Sequence, residues 1–270
     1  MLSLANTMTT ASHELPDIQS TEDPRRIHID QVGMRGLTVP LMVQTETGTQ
    51  ATVAKVNMSV ALSAQRKGTH MSRFVGLLFE NAEPLSAGML RSLLEKMLAL
   101  LETDAGRIEV QCPFFVMKAA PVTGVKSLMD YEVRFTVEKK AGVTTLVQEV
   151  VVPVTSLCPC SREISNYGAH NQRSRLTMSL TLSAPMTLEE ETRIAESAGS
   201  CELWSRLKRH DEKYVTEYAY EHPKFVEDIV RDMAQQLNAD ERVAAYRVTA
   251  ENFESIHNHS AYAEIIRDKR

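Results

Sequence analysis

Two cysteines and a histidine lie close together near the middle of this sequence. Cys158 and Cys160 flank Pro159, and His170 follows ten residues after Cys160. Thiolate and imidazole are ligands that a borderline-soft ion such as zinc prefers, and a bound metal favours deprotonation of a thiol at neutral pH. This spacing indicates metal chemistry. The alternative is that the thiols are small buried hydrophobes and His170 is an ordinary surface residue.

A second polar cluster lies near the end of the sequence, where Glu254, His257 and His259 fall within six positions. On a strand, His257 and His259 would share one face because side chains alternate. Histidine titrates near neutral pH, so either ring is suited to general acid or base catalysis, and Glu254 could orient or assist it. The alternative is a polar strand edge without catalytic function.

Two glutamates are candidates for binding. Glu212 lies in the charge-dense stretch 208–214, where it could turn inward as a carboxylate ligand to a metal. Glu227 lies near the edge of the apolar face of a predicted helix, so we expect partial burial. A partly buried carboxylate is suited to a donor-rich ring such as guanine. Either residue could instead be a solvated surface glutamate.

Basic and hydroxyl-bearing residues form two further sets. Lys67, His70, Ser72 and Arg73 follow a predicted strand, and Arg173 and Arg175 lie at the start of another. Their donors suit phosphate oxygens, although surface charge would have the same composition. Both sets contain Gly-x-His-x-x-Arg, 100 residues apart. This echo indicates either chance or a duplication into two α+β halves of about 120 residues, divided near 145–155.

Hydrophobic periodicity predicts the elements that position these residues. Alternating apolar and polar residues predict strands, and leucines and methionines at helical spacing predict a helix that begins after Ser86. The predicted strands cover 37–45, 51–62, 107–117, 129–138, 145–154, 174–183 and 243–250, and the predicted helices cover 87–101, 187–198 and 223–237. The pattern indicates an α+β protein with helices on one face of a sheet.

Composition excludes several classes of protein. The chain has 270 residues, 43% hydrophobic and 24% charged, with a net charge of −5, so no basic surface indicates nucleic-acid binding. Its apolar runs are too short to span a membrane. The segment up to about Asp23 does not resemble a signal peptide and is expected to be a loose tail. Four cysteines do not make a disulfide framework, so we expect a reduced, cytoplasmic protein.

Five blocks of this sequence jointly resemble GTP cyclohydrolase I of the type IB subfamily. They occur in family order between about residues 27 and 263, and they are 68–74, 153–161, 167–174, 211–217 and 251–262. The resemblance implies the tunnelling fold, an α+β fold of antiparallel sheets with helices on one face, present as two tandem units. The implied division is a disordered tail at 1–25, a first unit at 26–150 and a second unit at 151–270 with most catalytic residues.

The resemblance also implies a homotetramer, assembled as a multi-subunit barrel with active sites at subunit interfaces. The implied reaction is metal-dependent hydrolysis of GTP to 7,8-dihydroneopterin triphosphate and formate, the first step of tetrahydrofolate-type pterin biosynthesis. One divalent metal, whether zinc, manganese or iron, would be held by Cys158, His170 and Glu212. The other implied roles are a catalytic thiol at Cys160, proton transfer at His257, His259 and Glu254, and guanine binding at Glu227. Triphosphate binding is expected at Lys67, His70, Ser72, Arg73 and Arg173.

Two alternatives remain at this point. Another tunnelling-fold enzyme, a reductase or synthase acting on a pterin or deazapurine, would share much of this pattern. The sequence has no Gly-x-Gly-x-x-Gly fingerprint for a nicotinamide cofactor, although some reductases of this fold lack one. A protein with a closed, purely structural metal site is the other alternative. Formate release from GTP without added reductant would distinguish the cyclohydrolase from both.

Overall fold

The strands of this protein form one antiparallel sheet in which strand order follows chain order from β1 to β8. The computed structural model describes residues 16–270, so the part of the predicted tail at 1–15 lies outside the described residues. The strands are β1 (Ile29–Thr45), β2 (Gly48–Leu62), β3 (Gly106–Ala119), β4 (Lys126–Lys140), β5 (Val143–Leu157), β6 (Asn171–Leu182), β7 (Val243–Asn252) and β8 (Ala261–Asp268).

Helices follow the second, fifth and sixth strands. They are α1 (Met71–Phe79), α2 (Ala87–Leu101), α3 (Pro159–Ile164), α4 (Leu188–Ala198), α5 (Arg209–Glu221) and α6 (Val226–Ala239). Ser86 caps α2 by accepting a hydrogen bond from the N–H of Met89. Thr187 and Glu190 form a capping box at the start of α4, as the sequence predicts. None of the helices between residues 16 and 270 is both long and apolar enough to cross a membrane.

One face of the sheet packs against the helices and forms the hydrophobic core. Every second side chain of β5 and β6 is buried, including Val152 and Leu176, and α2 buries its apolar stripe against the same core. The opposite face carries cross-strand ion pairs such as Arg134 with Glu149, at 3.3 Å. The predicted architecture, an α+β protein with helices on one face of an antiparallel sheet, is therefore confirmed.

The order of elements repeats along the chain. The series β1–β2–α1–α2–β3–β4 corresponds to β5–β6–α4–α6–β7–β8, with α3 and α5 as additions to the second series. Strands β4 and β5 pair across the turn at 141–142, so one sheet runs through both series. The two Gly-x-His-x-x-Arg copies are not equivalent, because Gly68 follows β2 whereas Gly168 lies between α3 and β6. The echo therefore does not support duplication, and the division into units at residue 150 stays a prediction.

Several elements differ from the prediction. Periodicity did not predict α1, α3, α5 or β8. The predicted start of the first strand, at residue 37, is also too late, because register shifts around Met34 interrupt the alternation, and β1 begins at Ile29. Part of the expected tail is also ordered. The N–H of Lys67 donates to the carbonyl of Thr21 at 3.0 Å, and the N–H of Gly68 donates to the carbonyl of Gln19 at 3.1 Å. Residues 19–23 therefore lie against the segment 65–68.

The antiparallel strands define two ends of the sheet. We call one the Cys158 end, where Leu157 pairs with Asn171 and where β7 ends at Asn252. We call the other the Leu62 end, where Leu62 pairs with Ile29. Strand β5 has 15 residues, which at about 3.3 Å per residue separates the two ends by roughly 50 Å along the strand. Any candidate residue belongs to one end or the other.

Candidate active site

Cys158 and His170 lie next to each other at the Cys158 end. Strand β5 ends one residue before Cys158, and β6 begins one residue after His170. The last pair of this hairpin, Leu157 with Asn171, brings the two segments together. The N–H of Cys158 donates to the carbonyl of His170 at 3.1 Å. Two predicted ligands that are separated in sequence are therefore adjacent because the hairpin extends past its last strand pair.

Helix α3 places both cysteines of the Cys-Pro-Cys segment. Cys158 is its N-cap residue, with Sγ accepting a hydrogen bond from the N–H of Ser161 at 3.5 Å, and Pro159 occupies the first turn, where its missing N–H is not needed. Cys160 also lies in the first turn, and its thiol is exposed. Cys158 is only half-buried, so both sulfurs can meet a molecule that approaches this end.

The imidazole of His170 is oriented by its neighbours. Nδ1 lies 2.9 Å from Oε1 of Gln172, and this contact requires that Nδ1 carry the proton if Oε1 accepts. Nε2 then keeps its lone pair. Nδ1 also lies 3.8 Å from Oε2 of Glu254. Metal-binding histidines commonly donate their other ring N–H to an oxygen in this way, so His170 fits the chemistry of a metal ligand.

A buried polar network beneath His170 was missed by the sequence analysis. The amide of Gln172 donates to Oγ of Ser156 at 2.8 Å, and the hydroxyl of Ser174 contacts Oγ of Ser156 and Oδ1 of Asn252, both at 2.7 Å. All four side chains are buried. The signal was available, because Gln172 and Ser174 occupy the inward positions of β6 that apolar residues such as Leu176 continue. Polar residues in such positions require partners.

The histidine pair near the end of the chain lies on a loop. Strand β7 ends at Asn252 and β8 begins at Ala261, so the prediction that His257 and His259 share a strand face is wrong. The loop nonetheless stacks the two rings, with centroids 5.1 Å apart and planes 18° apart. Both histidines are exposed. Glu254, at the start of this loop, faces His170.

Glu212 and Glu227 are both exposed on the helices that carry them. Glu227 lies in the first turn of α6, which buries Val226 and Ile229 on the opposite side, so its predicted partial burial is wrong for this chain. Within residues 16–270, no three His, Cys, Asp or Glu side chains are grouped so that they could hold a metal ion. Cys158 and His170 thus supply two suitable donors, and Glu212 does not join them in this arrangement.

The residue before Glu212 anchors helix α5. The carboxylate of Asp211 is fully buried and accepts hydrogen bonds of 2.7–2.9 Å from the N–H groups of Val122, Thr123 and Lys208 and from the hydroxyl of Thr123. Burial alone would raise the pKa of Asp211, but these donors outweigh it and hold the pKa well below its usual range. An ionised carboxylate therefore fixes the start of α5 against the β3–β4 turn.

The first basic set lies at the Leu62 end, away from Cys158. Nη1 of Arg73 donates to the carbonyl of Leu100 at 3.2 Å, so it satisfies a free carbonyl at the end of α2. Nε2 of His70 lies 3.3 Å from Oδ2 of Asp17. Lys67 and Ser72 are exposed there.

Of the predicted triphosphate residues, only Arg173, exposed on β6, lies at the Cys158 end. The two sets therefore do not meet within a single chain, and their joint contact with a triphosphate stays a prediction. The sequence did not reveal this because the two sets sit at opposite ends of antiparallel strands.

Comparison with known proteins identifies relatives over nearly the whole chain. Residues 15–263 match the family model "Type I GTP cyclohydrolase folE2". A protein of Ralstonia nicotianae named GTP cyclohydrolase FolE2 is 59% identical over 256 residues, which is 95% of this chain and 96% of that protein. A protein of the same name from Paraburkholderia xenovorans is 60% identical over 257 residues, with the same coverage.

Solved structures with a similar fold are distant in sequence. The urate oxidase of Bacillus sp. TB-90 aligns with a TM-score of 0.52 at 8% identity and covers 90% of this chain and all of that one. The uricase of Arthrobacter globiformis aligns with a TM-score of 0.51 at 7% identity, covering 89% of this chain and 94% of that one. Likeness at this level of identity concerns the fold alone.

Proposed function

Because the chain belongs to the type I GTP cyclohydrolase FolE2 family, we propose that the Cys158 end of its sheet converts GTP to 7,8-dihydroneopterin triphosphate and formate. The activity itself, GTP cyclohydrolase in folate pterin biosynthesis, follows from the family. The observation that supports the location is the convergence of Cys158, His170 and the exposed Cys160 beside the loop with His257 and His259. The type IB assignment is part of this proposal.

The proposed metal site uses Cys158 and His170, with Glu212 as the third ligand. The first two are supported by their adjacency and by the contact of His170 with Gln172, which leaves Nε2 available. Glu212 is supported by its family motif alone. Zinc, manganese and iron all suit a thiolate, imidazole and carboxylate set. When bound, such an ion supplies Lewis-acid activation of water near neutral pH.

The residues of the chain divide the proton transfers between them. C8 of guanine becomes electrophilic when N7 is protonated, and we assign that proton to the exposed pair His257 and His259. Glu254 holds the imidazole of His170 from the side of Nδ1. The thiol of Cys160 is accessible in the first turn of α3, where it can exchange a proton with the opening ring.

Substrate binding in this proposal requires a second subunit. Glu227 accepts from N1–H and the N2 amine of guanine, a pairing that a carboxylate can make with two oxygens. Arg173 contributes to the triphosphate from the Cys158 end. Lys67 and Arg73 lie at the Leu62 end, roughly 50 Å away along the strands. They can reach the same GTP only from another copy, which supports a homotetrameric barrel with active sites between subunits.

The reduced state of the cysteines fits this chemistry. Cys112, Cys158, Cys160 and Cys201 are all free thiols. Free thiols are typical of a reducing compartment, which supports a cytoplasmic location.

The test is a metal-reloading assay on the full chain. Metal-free protein is reloaded separately with Mn²⁺, Fe²⁺ and Zn²⁺ and given GTP without reductant, and dihydropterin absorbance is followed together with formate. We expect both products only with metal, and a loss of about 1,000-fold or more in Cys160→Ala, because a catalytic thiol acts at the reacting ring. Cys112→Ala is the matched control, since that thiol is buried in β3. Full activity of Cys160→Ala would contradict the assigned role.

A further inference from the structure

A cavity lies between the two halves of the chain, far from the Cys158 end. Its volume is about 470 Å³, within the range of small-molecule sites. The end of β1, the start of α2, the middle of β4 and β5 and the loop between β6 and α4 enclose it. Its walls are mainly apolar, with Phe135, Leu146, Leu182 and Met186 among the lining side chains.

One side of this cavity carries positive charge. The start of α2 lines it with Ala87 and Gly88, whose N–H groups precede the N–H of Met89 that Ser86 caps. Arg91, one turn further along, also lines the cavity. Arg193 and Lys139 are paired with carboxylates, whereas Arg91 forms no ion pair with any residue of the described chain. This side therefore complements an anionic group.

The opposite side of the cavity presents a neutral polar group, the amide of Gln148, and some buried polar atoms near it lack hydrogen-bond partners. Gln148 lines the cavity and donates from Nε2 to the carbonyl of Met186 at 3.2 Å and to Oε2 of Glu191 at 2.8 Å. Glu191 and Thr192 are almost fully buried, yet Oε1 of Glu191 and Oγ1 of Thr192 have no hydrogen-bond partner among residues 16–270. Unpaired buried polar atoms are exceptional in folded proteins. Glu191 contacts the lining residue Gln148, so its unpaired oxygen lies one residue behind the cavity wall.

We propose that this cavity binds a small planar aromatic acid. The ring system packs between Phe135, Leu146 and Met186, the acid faces Arg91 and the first turn of α2, and a polar edge of the ring faces Gln148. The cavity is formed by both halves of the chain, so its occupant would also tie the halves together. None of these residues has a role in the cyclohydrolase site proposed above.

The cavity and the candidate active site are independent in space. Leu146 and Gln148 lie on β5, ten or more residues before Cys158, which directly follows that strand. At about 3.3 Å per residue, the distance from these residues to Cys158 along the strand is over 30 Å. A ligand in the cavity therefore does not occupy the proposed GTP site. We expect GTP and the aromatic acid to bind simultaneously.

The probe is 2-naphthoate, titrated into the metal-loaded full chain by calorimetry and followed by its own fluorescence. We expect saturable binding with a Kd below about 1 mM, which is ordinary for a ligand of this size. Arg91→Gln should weaken it about tenfold or more through loss of a charge-assisted hydrogen bond. The neutral analogue 2-naphthylmethanol should bind wild type more weakly, and Arg91→Gln should leave its Kd unchanged.

Two glycines provide a matched pair for locating the probe. A Cβ at Gly88, which lines the cavity, has as its nearest neighbour Oγ of Ser86 at 4.0 Å, and a Cβ at Gly76 in α1 has Oε1 of Glu80 at 3.9 Å. Both positions accept a larger side chain. Gly88→Leu should abolish or strongly weaken binding because it fills the cavity, and Gly76→Leu should bind as wild type does.

Four results would overturn the proposal. They are no saturation up to the solubility limit, equal binding of acid and alcohol, wild-type affinity in Gly88→Leu, and displacement of the probe by saturating GTP. The last would place the probe in the GTP site. Since these outcomes concern probe affinity and not turnover, a failure here leaves the cyclohydrolase assay unaffected.

Discussion

Two fully buried carboxylates of this protein respond to burial in opposite ways. Asp211, at the start of α5, accepts four hydrogen bonds, and its pKa lies well below the usual range. Glu191, on α4, accepts one hydrogen bond, from Gln148, and burial raises its pKa well above the ordinary value. The donors around Asp211 favour its anion, whereas burial of Glu191 favours its neutral acid. The number of donors, rather than the depth of burial, decides the charge.

The difference matches what each region does. Asp211 holds the β3–β4 turn and the start of α5 together, so a charge serves as a fixed anchor beside a candidate metal ligand. Glu191 lies behind a cavity and leaves one oxygen unpaired. A fully satisfied polar group rigidifies its surroundings, whereas a half-satisfied one costs stability until something pairs with it.

The largest effect is expected from removing the anchor. Asp211→Ala leaves three backbone N–H groups and one hydroxyl without an acceptor, so we expect the melting temperature at pH 7 to fall by roughly 10 °C. Asp130→Ala, at an exposed position, is the control and should melt as wild type does. The carboxylate stabilises the fold above the pKa of an unfolded aspartate, and that stability is lost as pH falls below about 4. In melts from pH 8 to pH 3, the difference between Asp211→Ala and wild type should therefore narrow toward the acid end without vanishing, because the pKa of the folded carboxyl lies far below its usual range.

A third buried carboxylate lies between these two cases. Burial raises the pKa of Glu196, while Lys118, with Nζ 2.6 Å away, opposes that rise. Lys118→Met leaves this carboxylate without its counter-charge, and we expect a loss of about 3 kcal/mol in the free energy of unfolding in urea at pH 8. The double variant with Glu196→Gln should recover a large part of that loss. If it does not, the lysine acts mainly through Trp204 or through Glu202, whose Oε2 lies 2.5 Å from its Nζ.

The pH dependence of the free energy of unfolding has the opposite sign at Glu191. Above the pKa of an unfolded glutamate, near 4.3, the unfolded chain ionises, while the raised pKa keeps the folded carboxyl protonated to higher pH, so wild type loses stability as pH rises. Glu191→Gln cannot titrate. We expect it to match wild type near pH 4.5 and to exceed it by at least about 1 kcal/mol at pH 8 in urea unfolding. Glu189→Gln, on the same turn but half-exposed, is the control. A constant difference between the two pH values would refute the neutral state.

The smallest effect is expected from Thr192→Val. This change keeps the shape of the side chain and removes a buried hydroxyl that has no partner. Most buried substitutions destabilise, but here we expect no loss, or a gain of up to about 1 kcal/mol in urea unfolding, because an unsatisfied group is removed. A loss above 1 kcal/mol would mean that the hydroxyl is paired, for example by buried water.

Much of the fold could be predicted from the sequence because its elements carry regular apolar patterns. The alternation of β5 and β6, the stripe of α2 and the capping residues Ser86 and Thr187 all correspond to the structure. Helix α5 could not be found in this way. Few of its side chains are buried, and polar contacts hold its N-terminal region in place. One contact is made by Asp211, inside the helix. The other is made by Trp204, before the helix, whose Nε1 donates to the carbonyl of Ala119 at 3.0 Å.

The candidate site could be predicted only where neighbours in sequence are neighbours in space. Cys158 and His170 meet because a hairpin joins them, and the stacked rings of His257 and His259 belong to one short loop. Glu212 requires knowledge of where α5 lies, which no local pattern provides. Helix phase also misplaced Glu227, since its apolar neighbours bury the other side of α6.

The unbroken strand order of the sheet has a consequence for synthesis on the ribosome. Each strand pairs with the one made before it, so a growing chain can add strands to one edge without waiting for a distant partner. The network under His170 includes Asn252, which leaves the exit tunnel after both β5 and β6. A nascent chain would therefore hold its first six strands in place while the Cys158 end is still without its support from β7. Arrest just before β7 would yield a folded but inactive intermediate.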